Sequence, residues 1–149
     1  MIAISNRQRP GTHARKIDLR LLEKIAAAAL EELGLEATEL SIVLVGPKEM
    51  ASLNEKFLQH EGPTDVITFD YAEGTDGLSG EIFICVEEAG RQAKEFKTTW
   101  QSEVVRYAVH GILHLAGHDD LLATAWKKMK QVEGRLVREL SRRFALSKL

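Results

Sequence analysis

The sequence predicts an α+β fold, a single layered domain in which helices pack on one mixed sheet of about four short strands. Three observations predict it. The 149 residues, 44% hydrophobic and 28% charged, have the size and mix of one globular domain. Short apolar or alternating runs interleave along the chain with stretches of helical period. Between them stand the turn signals Pro10-Gly11, Gly46-Pro47 and Gly62-Pro63-Thr64, with no internal repeat and no dividing linker. Residues 1–149 are therefore read as one domain.

The elements follow in order. Ile2 to Ser5 reads as a first strand. Asp18 is placed to cap a helix over about Leu19 to Leu33, with Gly34 at its end and an apolar stripe of Leu22, Ile25, Ala28 and Ala29. Thr38 to Val45 alternates as a strand, and Pro47 suits the first turn of a helix carrying Met50, Leu53, Asn54 and Phe57. Asp65 to Tyr71 is β-branched and aromatic, a strand. Tyr71 to Gly80, rich in glycine and acids, reads as an exposed loop. Glu81 to Val86 is a strand and Val86 to Phe96 a helix. Thr98-x-x-Gln101 has the form of a capping box for a helix from about Trp100. Val104, Val105, Ala108, Val109, Ile112, Leu113 and Leu115 make that helix apolar nearly all round, so it is central and buried, and Gly117 is placed to stop it. The last helix, about Ala123 to Phe144, sets Trp126, Met129, Val132, Leu136 and Leu140 against a basic face.

Composition excludes several classes. No apolar run approaches the roughly 20 residues of a membrane span. Met1 to Gly11 has no apolar core and carries Arg7, Arg9 and Pro10, so it does not read as a secretory signal. Cys85, the one cysteine, cannot form an internal disulfide and is expected as a buried thiol. A cytoplasmic protein without membrane attachment is the expectation. The net charge of -2 hides an asymmetry: residues 1–20 carry +4, residues 124–149 carry +6, and the middle is strongly acidic. Basic ends suit a polyanion such as nucleic acid; a solvated charged face on a terminal helix is the simpler reading.

The chemistry concentrates in His110-Gly-Ile-Leu-His114-Leu-Ala-Gly117-His118-Asp119-Asp120. His110 and His114 are four apart, so both rings share one face of the buried helix, a turn apart, as two ligands of one metal would. His118 continues the series, but it would lie about 12 Å along the axis from His110 if the helix ran on. Gly117 lets the chain turn so that a later residue folds back, and Asp120 is placed to be the third ligand. The plain alternative is a pair of polar residues hydrogen-bonded at a helix end. Buried unpaired, two histidines would cost on the order of 1–3 kcal/mol each. One zinc ion is the expected cofactor, with a coordination position left for water. A zinc protease would carry Glu directly after the first His; Gly111 stands there. Glu103, seven before His110 and on the same face, is a candidate partner for a His ring, or a surface or capping acid.

These residues carry a resemblance. The His110–Asp120 stretch is similar to the signature His-Gly-x-Leu-His-Leu-x-Gly-Tyr/His-Asp-His of the YbeY family of metal-dependent endoribonucleases. Pro63-Thr64-Asp65-Val66-Ile67-Thr68-Phe69 resembles its Pro-Thr-Asp-Val-Leu-Ser-Phe segment, and Gly80-Glu81-Ile82 its Gly-Asp-Ile strand start. Element order matches over about the whole chain. The resemblance implies a four-stranded sheet, a zinc site on the central helix, and cytoplasmic cleavage of single-stranded RNA in small-subunit ribosomal RNA maturation and ribosome quality control. The implied partners are that RNA and the ribosomal small subunit with its proteins. Matched residue by residue, His110 and His114 are the first two metal ligands.

Two positions depart from the pattern. The family's third His falls at Asp120, where carboxylate can replace imidazole; His118 is a weaker alternative. An Arg five residues before the proline is Leu58 here, so Lys56, His60 or Arg106 would have to supply charge. As general base, Asp119, Asp65 or metal-bound hydroxide qualifies. Thr64, Asp65 and Thr68 would line the cleft beside the helix if the family's geometry holds, although Thr64 and Asp65 equally suit a turn closed by side-chain hydrogen bonds. The competing class is a non-catalytic ribosome assembly factor with a structural metal.

Overall fold

A computed structural model describes residues 1–9, 14–58, 64–72, 77–118 and 122–149. The turn signals at Pro10-Gly11 and Gly62-Pro63 lie outside the described residues. The elements are β1 (Ile2–Asn6), α1 (Leu19–Glu32), β2 (Ala37–Val45), α2 (Pro47–Leu58), β3 (Val66–Asp70), β4 (Leu78–Cys85), α3 (Val86–Phe96), α4 (Trp100–Leu115) and α5 (Ala123–Arg143). A 3₁₀ turn follows at Leu146–Lys148.

The four strands form one mixed sheet in the order β1-β2-β4-β3. β2 is parallel to both β1 and β4, and β3 runs antiparallel to β4. This is the α+β layered domain expected from the sequence. The apolar runs Ile42–Val45 and Ile82–Val86 are continuous because both sheet faces are covered. Leu40, Ile42, Leu44, Ile82 and Ile84 point into the main core with α1, α3, α4 and α5. Val43, Val45, Phe83 and Cys85 point to the other face, where Met50 of α2 packs on them. Cys85 is a buried free thiol, and burial pushes its ionisation above the ordinary range. No helix among the described residues is long and apolar enough to cross a membrane.

The caps are largely those the sequence indicates. Asp18 accepts from the Leu21 amide, and Gly34 takes a positive φ of 67° after α1. Two local readings change. The α4 cap is Thr99, whose hydroxyl oxygen accepts from the Ser102 amide; Thr98 instead donates to Glu103 at 2.7 Å. β4 begins at Leu78, three residues before the expected start. Its glycine-rich sequence conceals a strand that pairs in parallel with β2 from Ala37 onward.

α4 lies across the sheet with Gly111 over Ile82 and Leu115 over Gly80, so it runs antiparallel to β4. The approach at Gly111 is close. A Cβ there would stand 2.7 Å from Ile82 Cγ2 and 2.8 Å from its Cδ1, and Ile82 is fully buried. The side chain that a zinc protease needs at this position has no room. At its end, α4 closes in a Schellman motif: Gly117 N donates to His114 O and His118 N to Leu113 O, with Gly117 at φ 97°.

Gly111→Ala should therefore destabilise the protein by about 1–3 kcal/mol despite alanine's better helix propensity. In an Ile82→Ala background the same change should be neutral or stabilising, as read by chemical denaturation. A Gly111→Ala cost independent of residue 82 would contradict this packing.

Candidate metal centre and its cleft

The sequence of α4 brings His110 and His114 to one face, and their rings meet edge to face with centroids 5.1 Å apart and planes at 62°. Gly117 then turns the chain away, so His118 does not extend the helical series. Asp119 and Asp120, the expected base and third ligand, lie outside the described residues. Among the described residues no three His, Cys, Asp or Glu side chains gather as a ligand set.

The partner of the His110 ring is Glu133, from α5, and not Glu103. Glu133 Oε1 lies 2.8 Å from His110 Nδ1, with the glutamate side chain 1% and the histidine 17% exposed. Arg106 Nη1 reaches the other carboxylate oxygen at 3.2 Å, and Lys130 Nζ stands at 3.4 Å. Burial is the largest single influence on Glu133 and pushes its pKa up. The His110 hydrogen bond, the Lys130 charge and the Arg106 hydrogen bond together outweigh it, so the carboxyl is held below its ordinary range. An ionised carboxylate only accepts, so Nδ1 carries the proton. In the neutral ring Nε2 then keeps its lone pair. A histidine whose second nitrogen donates to a carboxylate is the usual form of a metal-ligating one. The donor set on this face therefore suits zinc, two imidazole nitrogens with one already aligned from behind.

Glu103 is buried at 5% exposure and accepts from the Thr98 hydroxyl, which fixes the turn between α3 and α4. The sequence reasoning missed Glu133 although a signal was present. It stands four after Met129, three before Leu136 and seven before Leu140, inside the apolar stripe of its helix. An acid at such a position is buried and must find cations or donors.

A cleft of about 420 Å³ opens beside His110, lined by Asp65, Glu103, Arg106, Tyr107, Lys130 and Glu133 among others. It has an acidic wall, Asp65 and Glu103, and a basic edge where Arg106 and Lys130 flank Glu133. Asp65 Oδ1 accepts from its neighbour Thr64 at 3.3 Å and from the Val66 amide at 2.8 Å. So Asp65 both closes the turn into β3 and faces the cleft. Neither Thr64 nor Thr68 is among the lining residues. The Thr64 hydroxyl is turned onto Asp65, and Thr68 lies further along β3, paired with Ile82 beneath Gly111. Tyr107 is 4% exposed and its hydroxyl has no hydrogen-bond partner among the described residues. Burial, then the charges of Asp65 and Glu103, push that phenol above its ordinary range and keep it protonated.

Of the charges expected to replace the arginine at Leu58, Arg106 is in the cleft, Lys56 lies over the Phe57 ring at 5.4 Å, and His60 is outside the described residues. A larger cavity of about 610 Å³, between the end of β1 and the start of α2, shares no lining residue with the His110 cleft. There Arg7 and Glu49 neutralise each other at 2.7 Å.

Comparison with known proteins agrees with this architecture. The solution structure of a Thermotoga maritima protein superposes with a TM-score of 0.67 over 94% of this chain and 89% of that one, at 29% identity. Endoribonuclease YbeY of Chlorobium luteolum is 34% identical over 131 residues, covering 88% of this chain and 95% of its own. Endoribonuclease YbeY of Aquifex aeolicus is 35% identical over 131 residues, covering 86% and 87%. The family model described as Endoribonuclease YbeY matches residues 3–141, and the chain belongs to that family.

Proposed function

We propose that residues 1–149 form one metal-dependent endoribonuclease domain that hydrolyses phosphodiester bonds of single-stranded RNA. The RNA-cleaving part follows from family membership, which favours an enzyme over a non-catalytic assembly factor. The observation that carries the site is the hydrogen bond between Glu133 and His110, both of which line one cleft. The biological substrate in this reading is small-subunit ribosomal RNA in the cytoplasm, with the ribosomal small subunit and its proteins as partners. Lys127, Lys128, Arg135 and Arg138 are exposed on α5, a source of phosphate attraction near the cleft's Lys130.

In this reading His110 through Nε2, His114 and Asp120 hold one zinc ion. When bound, the ion supplies charge neutralisation at the phosphoryl group and a water of lowered pKa. Glu133 keeps the His110 ring in the ligating tautomer. Arg106 and Lys130 offer positive charge to the substrate's backbone. A water oxygen bonds to phosphorus as the bond to the leaving sugar oxygen breaks. The water's proton passes to a carboxylate, Asp119 or Asp65, with Thr64 orienting Asp65 through their hydrogen bond. The leaving oxygen takes a proton from solvent.

Two outcomes are expected. Zinc-loaded protein should cleave an unstructured RNA, while His110→Ala/His114→Ala protein purified identically should not. Equal cleavage by both would point to a contaminant, and cleavage by neither would favour the assembly-factor reading. Glu133→Gln should keep the fold but lower zinc affinity by roughly 10–100-fold in competition with a chelator. Unchanged affinity would remove Glu133 from the metal site.

A further inference from the structure

The metal-site reading leaves Phe96 and Glu103, at one end of the His110 cleft, without a role. That end is built from the α3–α4 turn. Phe96, the last residue of α3, is 62% exposed although it is large and aromatic, and it lines the cleft. Its position is fixed by the chain after it. Lys97 takes a left-handed φ of 56°, the Thr98 amide donates to Ala93 O, and the Thr98 hydroxyl donates to the buried Glu103. The same cleft is lined by Asp65, Glu103 and Tyr107, whose hydroxyl is itself enclosed.

This chemistry is specific. Phosphate is repelled by the acidic wall and belongs at the edge, with Arg106 and Lys130. What the wall accepts is a planar group rich in N–H donors. An exposed aromatic ring beside it offers a stacking face, as single-strand binders offer to bases. Carboxylates accept from base amino and imino groups. Uracil has one such hydrogen, N3–H, between two carbonyls. Guanine has N1–H and a 2-amino group side by side, a match for one carboxylate.

We propose that this cleft binds the base of a guanine nucleotide flanking the scissile phosphate, with Phe96 as the stacking face and the Glu103 carboxylate as the acceptor of N1–H and the 2-amino group. The proposal rests on the RNA-cleaving reading for its class of ligand, and makes Phe96 and Glu103 specificity-determining residues of that site.

The test is equilibrium binding of uncleavable 2′-O-methyl pentamers to the full chain, followed by fluorescence anisotropy. UUGUU should bind roughly tenfold more tightly than UUUUU, with UUAUU and UUCUU between them. Glu103→Gln keeps an acceptor for Thr98 and should bring UUGUU and UUUUU to equal affinity. Phe96→Ala, an exposed substitution that leaves the core intact, should weaken both by roughly tenfold. Equal binding of all four pentamers, no binding of any, or a guanine preference that survives Glu103→Gln would overturn the subsite. Cleavage assays separate the two readings. A protein that cuts RNA without preferring guanine keeps the nuclease and loses the subsite. One that selects UUGUU yet cuts no RNA keeps the subsite and loses the nuclease.

Discussion

The candidate centre depends on one buried carboxylate. Glu133 is 1% exposed and lies between α4 and α5, where an unpaired charge would cost several kcal/mol. It is stable there because His110, Arg106 and Lys130 converge on it. That convergence ties the last long helix to the central one and sets the orientation of the His110 ring. It also places two cations at the edge of the cleft. Stability and chemistry are thus coupled through a single side chain. Removing the carboxylate altogether would leave the cations without a counter-charge and the imidazole free to rotate.

The rest of the scaffold brings α4 to where this contact forms. Gly111 lets the helix settle on Ile82 without a Cβ between them. Continuous apolar runs in β2 and β4 bury both faces of the sheet, so the strands beneath α4 are fixed from either side. Gly117 then ends α4 with its carbonyls satisfied and redirects the chain directly after His114. The cleft lies where α4 meets the start of β3 and the α3–α4 turn.

Most of the fold was legible in the sequence because its signals are local. Asp18 and Gly34 bound α1, Pro47 opens α2, and the all-round apolar character of α4 marks the central helix. The start of β4 was not legible, because Leu78-Ser79-Gly80 has the composition of a loop and becomes a strand only by pairing with β2. The cap of α4 was misread by one residue because Thr98 and Thr99 are both competent, and the approach of Glu103 decides between them. At the site, the His110–His114 pairing followed from helical spacing alone. The ring's acidic partner did not, because it comes from 23 residues away on another helix. Helical phase placed Glu133 on a buried face, but only the packing of α5 on α4 shows which histidine it meets. Likewise the exposed Phe96 is an ordinary helix residue until the turn beside it brings Glu103 and Tyr107 to the same cleft.

The central claim concerns which nitrogen of His110 carries the proton, and nitrogen-15 NMR of the imidazole rings in metal-free protein reads it directly. In the neutral form of the ring its two nitrogens are distinguishable by their shifts. Hydrogen-bonding to Glu133 predicts that Nδ1 of His110 is protonated and Nε2 is not. Protonation at Nε2, with a bare Nδ1, would contradict the Glu133 contact and the ligating role built on it.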